Sequence, residues 1–455
     1  MSEIKRTGLF AGVAVVLAVL AFALSPHHIT PEAFMDQGEL FFPNFTDPNA
    51  AKTMEVIEYD PDAGASRPFK VTFKDGIWTI PSHYDYPADA KDQLAKTAAG
   101  VMVIRKDDYR TNNVADHEVC GVIDPLDTES PSLTGRGSRI TLKGDNDQVL
   151  ADLIIGKAVP ERQGFRFVRV PGENRVYAAK VDLNVSTRFQ DWIETNLIKV
   201  DKNKIDGVIF NNYSINERTL SVEPGTTTEL HKVDGEWALS PKPKGKQELD
   251  VTKVNKLLGA LEGLSIVGVR PKPQALSSSL TKEGPAELSQ ADRLSLQSKG
   301  FYVGRDGQLL SNEGEVSVHT NEGVVYALRF GEVLYGSGLD VSAGNTGGGG
   351  KTDESQAANR YLFITADFDN GYFKAPPKPQ SSQFKGKPDS TWTDFDKECK
   401  QASDKYDAYT KKVQDGKKLA ESLNQRFAAW YYVIAENSFD NVHLKQSDLV
   451  KSTEG

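Results

Sequence analysis

The sequence predicts an α+β protein with an N-terminal transmembrane helix, two tandem α+β units and a long C-terminal helix. Each unit is expected to combine an antiparallel sheet with one amphipathic helix. Three observations predict this: an uncharged apolar run follows Lys5 and Arg6, a pattern of strands, tryptophan and helix occurs twice, and a charged helical pattern begins at Asp394. The length of 455 residues gives room for about three domain-sized segments.

The composition excludes several classes of function. Lys and Arg number 54 against 63 Asp and Glu, so the net charge of −9 provides no general basic excess for a nucleic-acid backbone, and no nucleic acid is expected as a partner. Two cysteines cannot form a disulfide-dense scaffold or a multi-cysteine metal site. Cys120 and Cys399 are each expected to be buried and unpaired. No cofactor and no metal site are predicted.

The N-terminus carries the predicted membrane anchor, residues 1–25. The uncharged run at residues 7–25 would reach about 28 Å as a helix, close to the ~30 Å hydrocarbon core. The positive pair before it favours a cytoplasmic N-terminus, with the bulk of the chain outside. This predicts a single-pass membrane protein, with membrane contact through residues 7–25 and a linker over residues 26–50.

A cleaved signal peptide is the alternative for the same segment. Ala21-Phe22-Ala23 resembles a small-x-small cleavage site. The apolar run exceeds the usual signal h-region, which favours a retained anchor. Both alternatives place the bulk of the chain across the membrane.

The first α+β unit is predicted over residues 51–200. An Asp75-Gly76 hairpin turn precedes Trp78 and Pro81, and an amphipathic helix follows over Ala88–Val103. The predicted strands are Met54–Tyr59, Phe69–Phe73, Arg139–Leu142, Val149–Ile155, Phe165–Val170 and Arg175–Ala179.

The second unit is predicted over residues 201–375 and repeats this order. The turn Asp234-Gly235 precedes Trp237, which lies 159 residues after Trp78, and a helix is predicted over Val251–Leu264. An insertion at Gln274–Gly300 accounts for the longer spacing of the later elements. The predicted strands are Ile205–Phe210, Thr219–Val222, Glu229–Val233, Glu315–His319, Val324–Phe330 and Tyr361–Ala366. Recurrence at domain-sized spacing predicts tandem duplication of one unit.

A linker at residues 376–393 and a C-terminal helix and tail at residues 394–455 complete the predicted organisation. The helical pattern Asp394–Asn437 ends in an apolar patch that includes Phe427, Trp430 and Tyr431. An exposed patch of this kind is rare on monomers. Docking onto the second unit is therefore the favoured explanation, and a partner helix is the alternative.

The pattern resembles the DUF4340 domain proteins, which are membrane-anchored extracytoplasmic proteins of bacteria. The resemblance is carried by Trp78 and Pro81, by Gly121-Val122-Ile123-Asp124-Pro125, by Ile155-Gly156 and Val176-Tyr177, and by Trp237 and Pro241. It covers about Met54 to Asp369, and the second copy lacks a counterpart of the Gly121–Pro125 segment. The resemblance implies a location in the bacterial inner membrane. It also implies an accessory component of ABC-type export systems of the gliding-motility kind, with transport subunits as partners.

The search for chemistry yields no predicted catalytic residue. Gly347-Gly348-Gly349-Gly350-Lys351-Thr352 lacks the first glycine of a phosphate loop at the required spacing, so a flexible linker is favoured. Trp78 and Trp237 are expected to be core anchors, with sugar stacking as the alternative.

The functional hypothesis is a non-enzymatic scaffold or interaction protein, anchored in the membrane and accessory to an ABC-type transport system. The alternative is a cell-envelope glycan-binding protein or hydrolase that uses the cleft between the two units. The sequence leaves the oligomeric state open.

Overall fold

A computed structural model describes residues 11–19, 36–61, 64–183, 185–216, 218–219, 221–280, 288–304, 307–336, 341–343 and 358–453. The chain divides into two compact units that interleave along the sequence. Unit 1 comprises Met1–Tyr59 and Ala95–Asn184, and unit 2 comprises Asp60–Leu94 and Val185–Gly455. The glycine-rich segment considered above as a phosphate loop lies outside the described residues.

The N-terminal segment corrects the expectation of a membrane anchor. Of the predicted span, the structure describes residues 11–19, which are helical and exposed. Within the described residues, every helix is too short or too polar to span a bilayer. The predicted transmembrane helix is therefore wrong, and so is the single-pass inner-membrane location.

Between residues 53 and 180, the described residues form nine strands and two α-helices. In chain order they are β1 (Thr53–Asp60), β2 (Ala65–Lys74), β3 (Ile77–Ile80), β4 (Tyr86–Pro87), α1 (Lys91–Met102), β5 (Asp108–Thr111), α2 (His117–Cys120), β6 (Ser138–Lys143), β7 (Val149–Ala158), β8 (Phe165–Arg169) and β9 (Val176–Lys180). Unit 1 contains a run of antiparallel strands in the order β1-β6-β7-β8-β9-β5. Buried Val56, Leu142 and Val168 contribute to its core.

The β2–β3 hairpin forms at the predicted Asp-Gly turn. Asp75 and Gly76 have φ angles of 52° and 86°, the left-handed pair that a tight two-residue hairpin requires. Lys74 pairs with Ile77 across the turn. The turn between β11 and β12, described next, has the same chemistry, because Asp234 and Gly235 have φ angles of 52° and 91°.

Over residues 205–452, the elements with assigned bounds in the described part of the chain are twelve strands and five helices. They are β10 (Ile205–Asn216), β11 (Ser221–Val233), β12 (Glu236–Ser240), β13 (Gln247–Leu249), α3 (Val251–Glu262), β14 (Gly268–Pro271), α4 (Gln274–Leu280), α5 (Gln290–Gln297), β15 (Phe301–Val303), β16 (Leu309–Ser311), β17 (Glu315–Thr320), β18 (Val324–Tyr335), β19 (Ala358–Phe368), α6 (Asp394–Ala428), β20 (Trp430–Ala435), α7 (Glu436–Val442) and β21 (Val450–Ser452). Eight of the strands form one sheet in the order β12-β11-β10-β17-β18-β19-β20-β14. The α+β class with antiparallel sheets is thus confirmed.

Helix α3 is amphipathic, as the sequence predicts. Its buried face consists of Val254, Leu257, Leu258 and Leu261, and the Asp250 side chain caps its N-terminus by accepting from the Thr252 backbone N–H. In the chain, α3 lies between β13 and β14, and α1 lies at the equivalent point between β4 and β5.

The strand order of unit 2 repeats that of unit 1. The run β10-β17-β18-β19-β20-β14 matches β1-β6-β7-β8-β9-β5 strand for strand, and in both cases the last strand follows the amphipathic helix in sequence. This equal order is what a duplicated unit predicts.

Two insertions distinguish the second copy. Residues 170–175 connect β8 to β9, whereas residues 369–429, which include α6, connect β19 to β20. Helices α4 and α5 and strands β15 and β16 form the other insertion, between β14 and β17. The sequence predicts an insertion at Gln274–Gly300, but not these two helices.

The long C-terminal helix is present, but it is shorter than the predicted Asp394–Asn437 pattern. Helix α6 ends at Ala428, and Trp430–Ala435 forms strand β20 between β19 and β14. Aromatic and β-branched residues fill this strand, and such residues favour a pleated, buried surface over a helix.

Candidate functional site

The two tryptophans singled out in the sequence lie on equivalent hairpins. Trp78 pairs across the strands with Phe73, and Trp237 pairs with Lys232. Both tryptophans are only partly buried, and next to Trp78 the side chains of Phe73 and Ile77 are 42% and 54% exposed. Neither tryptophan is a fully buried core residue, and sugar stacking by them stays a prediction.

The C-terminal apolar patch packs inside unit 2. Phe427 and Tyr431 are 1% and 0% exposed, while Trp430 is partly buried with its ring 5.0 Å from that of Tyr86. Tyr431 stacks on Phe301 at 6.0 Å between ring centroids. These contacts favour the docking explanation, because Phe427 and Tyr431 offer no surface to a partner helix.

The free cysteines have the predicted environment. Cys120, in unit 1, and Cys399, in unit 2, are both buried and unpaired. Burial also raises the pKa of the Cys120 thiol. Such a thiol behaves as a small apolar residue and not as a nucleophile.

A serine–histidine pair occurs in unit 2, but its geometry is not that of a catalytic triad. The His83 Nε2 atom lies 2.9 Å from the Ser342 Oγ atom, and Nδ1 lies 3.0 Å from the hydroxyl of Ser82, where a triad has a carboxylate. The imidazole stacks on Phe189 at 4.3 Å. Ser342 is only 8% exposed, which leaves little room for a substrate.

Lys272 is a buried amine in the same unit. Its Nζ atom donates a hydrogen bond of 3.0 Å to the Phe427 carbonyl and lies 3.7 Å from the centroid of the Phe363 ring. Burial holds the pKa of this amine well below its usual range. With 6% of its surface exposed, Lys272 is enclosed by protein and serves the packing of β20.

The Gly121–Pro125 segment of unit 1 is organised by one arginine. The Arg136 guanidinium donates to the backbone carbonyls of Asp124 and Asp127 at 3.0 and 2.7 Å. It also donates to the carbonyls of Ser130 and Ser132, both at 3.1 Å. The planar fork therefore holds the loop that carries part of the family resemblance, which indicates a structural role for this segment.

Replacing Arg136 by lysine is expected to lower the free energy of unfolding of unit 1 by about 2 kcal/mol, because a lysine ammonium cannot reproduce the fork of donors. Chemical denaturation measures this change, and thermolysin cleavage before the exposed Leu133 should accelerate. Arg166→Lys is the matched control, since Arg166 is exposed and, among the described residues, its guanidinium donates hydrogen bonds only to the Gly156 carbonyl. An equal loss in both variants would contradict the role assigned to Arg136.

The strongest candidate site is a cavity of about 400 Å³ on the inserted segment of unit 2. One wall is the loop after β19, and the other is the middle of α6. The loop contributes Tyr372, Phe373, Lys374 and Pro376, and the helix contributes Lys405, Ala408, Tyr409 and Lys412. We call this cavity the lysine–aromatic groove.

Helical periodicity places the four helix residues on one face. They are separated by three, four and seven residues from Lys405, which is the spacing of neighbours on an α-helix surface. Thr393 starts the helix with a capping box, in which its hydroxyl accepts from the Asp396 N–H and the Asp396 carboxylate accepts from the Thr393 N–H.

Both walls of the groove are fixed to the sheet. On α6, the Asn424 side chain makes two hydrogen bonds to the backbone of Ala366 in β19, of 2.6 and 2.9 Å. Gly416 packs so closely on Phe368 that a Cβ atom would not fit. On the loop, the Tyr372 hydroxyl donates to the Asp206 carboxylate in β10. These contacts hold both walls of the groove in place before any partner binds.

The lysines of the groove differ in their ion pairing from other lysines on α6. Lys374, Lys405 and Lys412 form no ion pair with any described carboxylate, whereas Lys397 and Lys400 on the same helix pair with Asp394 and Asp404. The Lys412 Nζ atom instead lies 5.9 Å from the Phe373 ring centroid. Just beyond the cavity, the Lys378 Nζ atom likewise lies 5.9 Å from the centroid of the Tyr406 ring.

This arrangement can bind an anion. Ammonium groups attract carboxylates or phosphates, and the adjacent aromatic faces supply flat apolar contact. The sequence analysis treats α6 as a charged outer helix and misses the groove. The pattern Lys405-x-x-Ala408-Tyr409-x-x-Lys412 is the signal in the sequence, but the opposite wall comes from residues about thirty positions earlier in the chain.

The fold defines an α+β protein built from two units of equal strand order, the second of which carries a lysine–aromatic groove. The family model described as "Domain of unknown function (DUF4340)" matches residues 78–284. The chain thus carries a DUF4340 domain, which confirms the resemblance seen in the sequence. No curated protein and no solved structure matches the chain. The family match ends before α6, so the groove lies outside it.

Proposed function

We propose that this protein is a non-enzymatic interaction protein that binds an anionic partner through the lysine–aromatic groove. The observation that carries the proposal is a preformed cavity with three lysines, none of them paired with a described carboxylate, in a chain of net charge −9. A local positive cluster on a negative protein selects an anionic partner and gives it an orientation.

The groups in the groove support binding more than catalysis. The exposed Lys374, Lys405 and Lys412 are point charges on flexible stems, and the rings of Tyr372 and Phe373 are contact surfaces. For the hydrolase alternative, the pair of His83 and Ser342 gives little support, because it is buried and oriented by the Ser82 hydroxyl. Glycan binding stays a prediction.

A subunit of an ABC-type transport system is the first partner to test, because the DUF4340 resemblance implies an accessory role beside such a system. The groove adds a chemical requirement to that expectation. The contacting surface of the subunit should be acidic, and complex formation should weaken as salt screens the charges.

The test compares two double variants of the full chain with equal charge changes. Lys405→Glu with Lys412→Glu reverses the groove, and Lys411→Glu with Lys418→Glu reverses exposed lysines on the same helix that do not line the cavity. We expect chemical cross-linking in the native cells to capture a partner with wild type and control, and about tenfold less with the groove variant. Mass spectrometry quantifies and identifies the captured protein.

Circular dichroism and thermal unfolding check that both double variants fold like the wild type. Equal capture by the groove variant and the control would contradict the proposal, because the partner would then bind elsewhere. A loss of capture in both variants would also contradict it, since general charge and not the groove would control binding.

A further inference from the structure

The spacing of charges in the groove restricts the partner further. Lys405 and Lys412 are seven residues apart in α6, which places their Cα atoms about 10.5 Å apart along the helix axis. Ala408 and Tyr409 lie between them on the same face. The helix wall therefore presents a positive, an apolar and again a positive position.

The opposite wall encloses the apolar centre of the groove. Phe373 and Pro376 face the cavity together with Tyr372, and Lys374 adds a third positive charge on this side. The small, exposed side chain of Ala408 leaves space between Lys405 and Lys412. The site is thus an apolar depression with positive charges around it, and not a continuous row of cations.

A polyanion fits this pattern poorly. Each strand of a nucleic acid carries one charge about every 3.4 Å, and its binding requires a row of cations with many phosphate contacts. A peptide in the polyproline II conformation has three residues per turn and rises about 3.1 Å per residue. Carboxylates three residues apart therefore lie on the same side of such a peptide, roughly 9 Å apart, with two apolar residues between them.

We propose that the groove binds an extended acidic peptide segment of a protein partner, with two carboxylates three residues apart on either side of apolar residues. The carboxylates contact Lys405 and Lys412, and an apolar side chain enters the depression above Ala408. This inference rests on the proposed function and names the class of partner for the same site.

The experiment measures fluorescence anisotropy of labelled peptides with the full chain. The probe contains Glu-Leu-Leu-Glu between glycine and serine residues, and its controls contain Gln-Leu-Leu-Gln or the rearranged Glu-Glu-Leu-Leu. We expect the probe to bind at least about tenfold more tightly than either control. Lys405→Glu with Lys412→Glu should weaken probe binding by about tenfold or more, and Lys411→Glu with Lys418→Glu by less than about twofold.

Polygalacturonate and single-stranded DNA are measured with the same proteins as competing anions. If the rearranged peptide binds as well as the probe, or if either polyanion binds more tightly than the probe and depends on Lys405 and Lys412, the peptide inference is overturned while the groove remains an anion site. If no probe distinguishes the groove variant from its control, both the inference and the proposed function fail.

Discussion

Replacing Tyr431 by alanine is expected to lower the free energy of unfolding of unit 2 by about 3–5 kcal/mol. The Tyr431 ring is fully buried among Phe301, Phe363 and Lys272, and its hydroxyl lies 3.0 Å from the Ser295 hydroxyl. The truncation leaves a cavity where β20 crosses the core of unit 2. Denaturant titration followed by circular dichroism measures the loss.

Two further variants separate the strand from the helix that the sequence predicts. In the strand, Trp430 points to the face opposite Tyr431 and is partly exposed, so Trp430→Ala should cost less than half as much as Tyr431→Ala. Tyr431→Phe keeps the ring and should cost about 1 kcal/mol for the lost hydrogen bond. Equal losses for Trp430→Ala and Tyr431→Ala would contradict the strand, because on a helix the two residues would share one buried face.

Acidification is expected to destabilise unit 2 through His83. Burial, together with the positive charge of Arg270, lowers the pKa of His83 from 6.5 to about 4. The unfolded chain therefore takes up a proton at a pH where the folded chain does not. The contribution of the neutral imidazole is complete above pH 6.5 and is lost as the pH falls toward 4, which lowers the free energy of unfolding by about 3 kcal/mol.

His83→Gln isolates this contribution, because an amide can replace the hydrogen bond to Ser342 without titrating. Between pH 7 and pH 4, the free energy of unfolding of the variant should fall by about 3 kcal/mol less than that of the wild type. Denaturant titrations at each pH measure this difference. His443, whose pKa burial and Arg360 also lower to about 4, provides a second decrease in both proteins. Parallel curves for wild type and variant would contradict the assignment to His83.

Local patterns in the sequence predict much of the fold. The Asp75-Gly76 and Asp234-Gly235 turns were predictable because only residues that tolerate positive φ fit them. Helix α3 was predictable from its apolar spacing and its Asp250 cap. The recurrence of these signals 159 residues apart indicated the duplication that the equal strand order reflects.

Features that depend on tertiary contacts were not predictable in the same way. Phe427, Trp430 and Tyr431 have helical spacing, and only the neighbouring strands β19 and β14 make Trp430–Ala435 a strand. The short edge strands β5 and β14 have too few residues for a periodic pattern. The groove combines the Tyr372–Pro376 loop with the middle of α6, and no local rule joins these two segments.

The most direct test of the central claim, that a partner occupies the lysine–aromatic groove, is amine footprinting of the native protein. An amine-reactive reagent modifies exposed lysines in intact cells and in the purified chain, and mass spectrometry compares the two. We expect Lys374, Lys405 and Lys412 to be protected severalfold in cells, while Lys411 and Lys418 react equally in both samples. If Lys374, Lys405 and Lys412 are modified to the same extent in cells as in the purified chain, the account is contradicted.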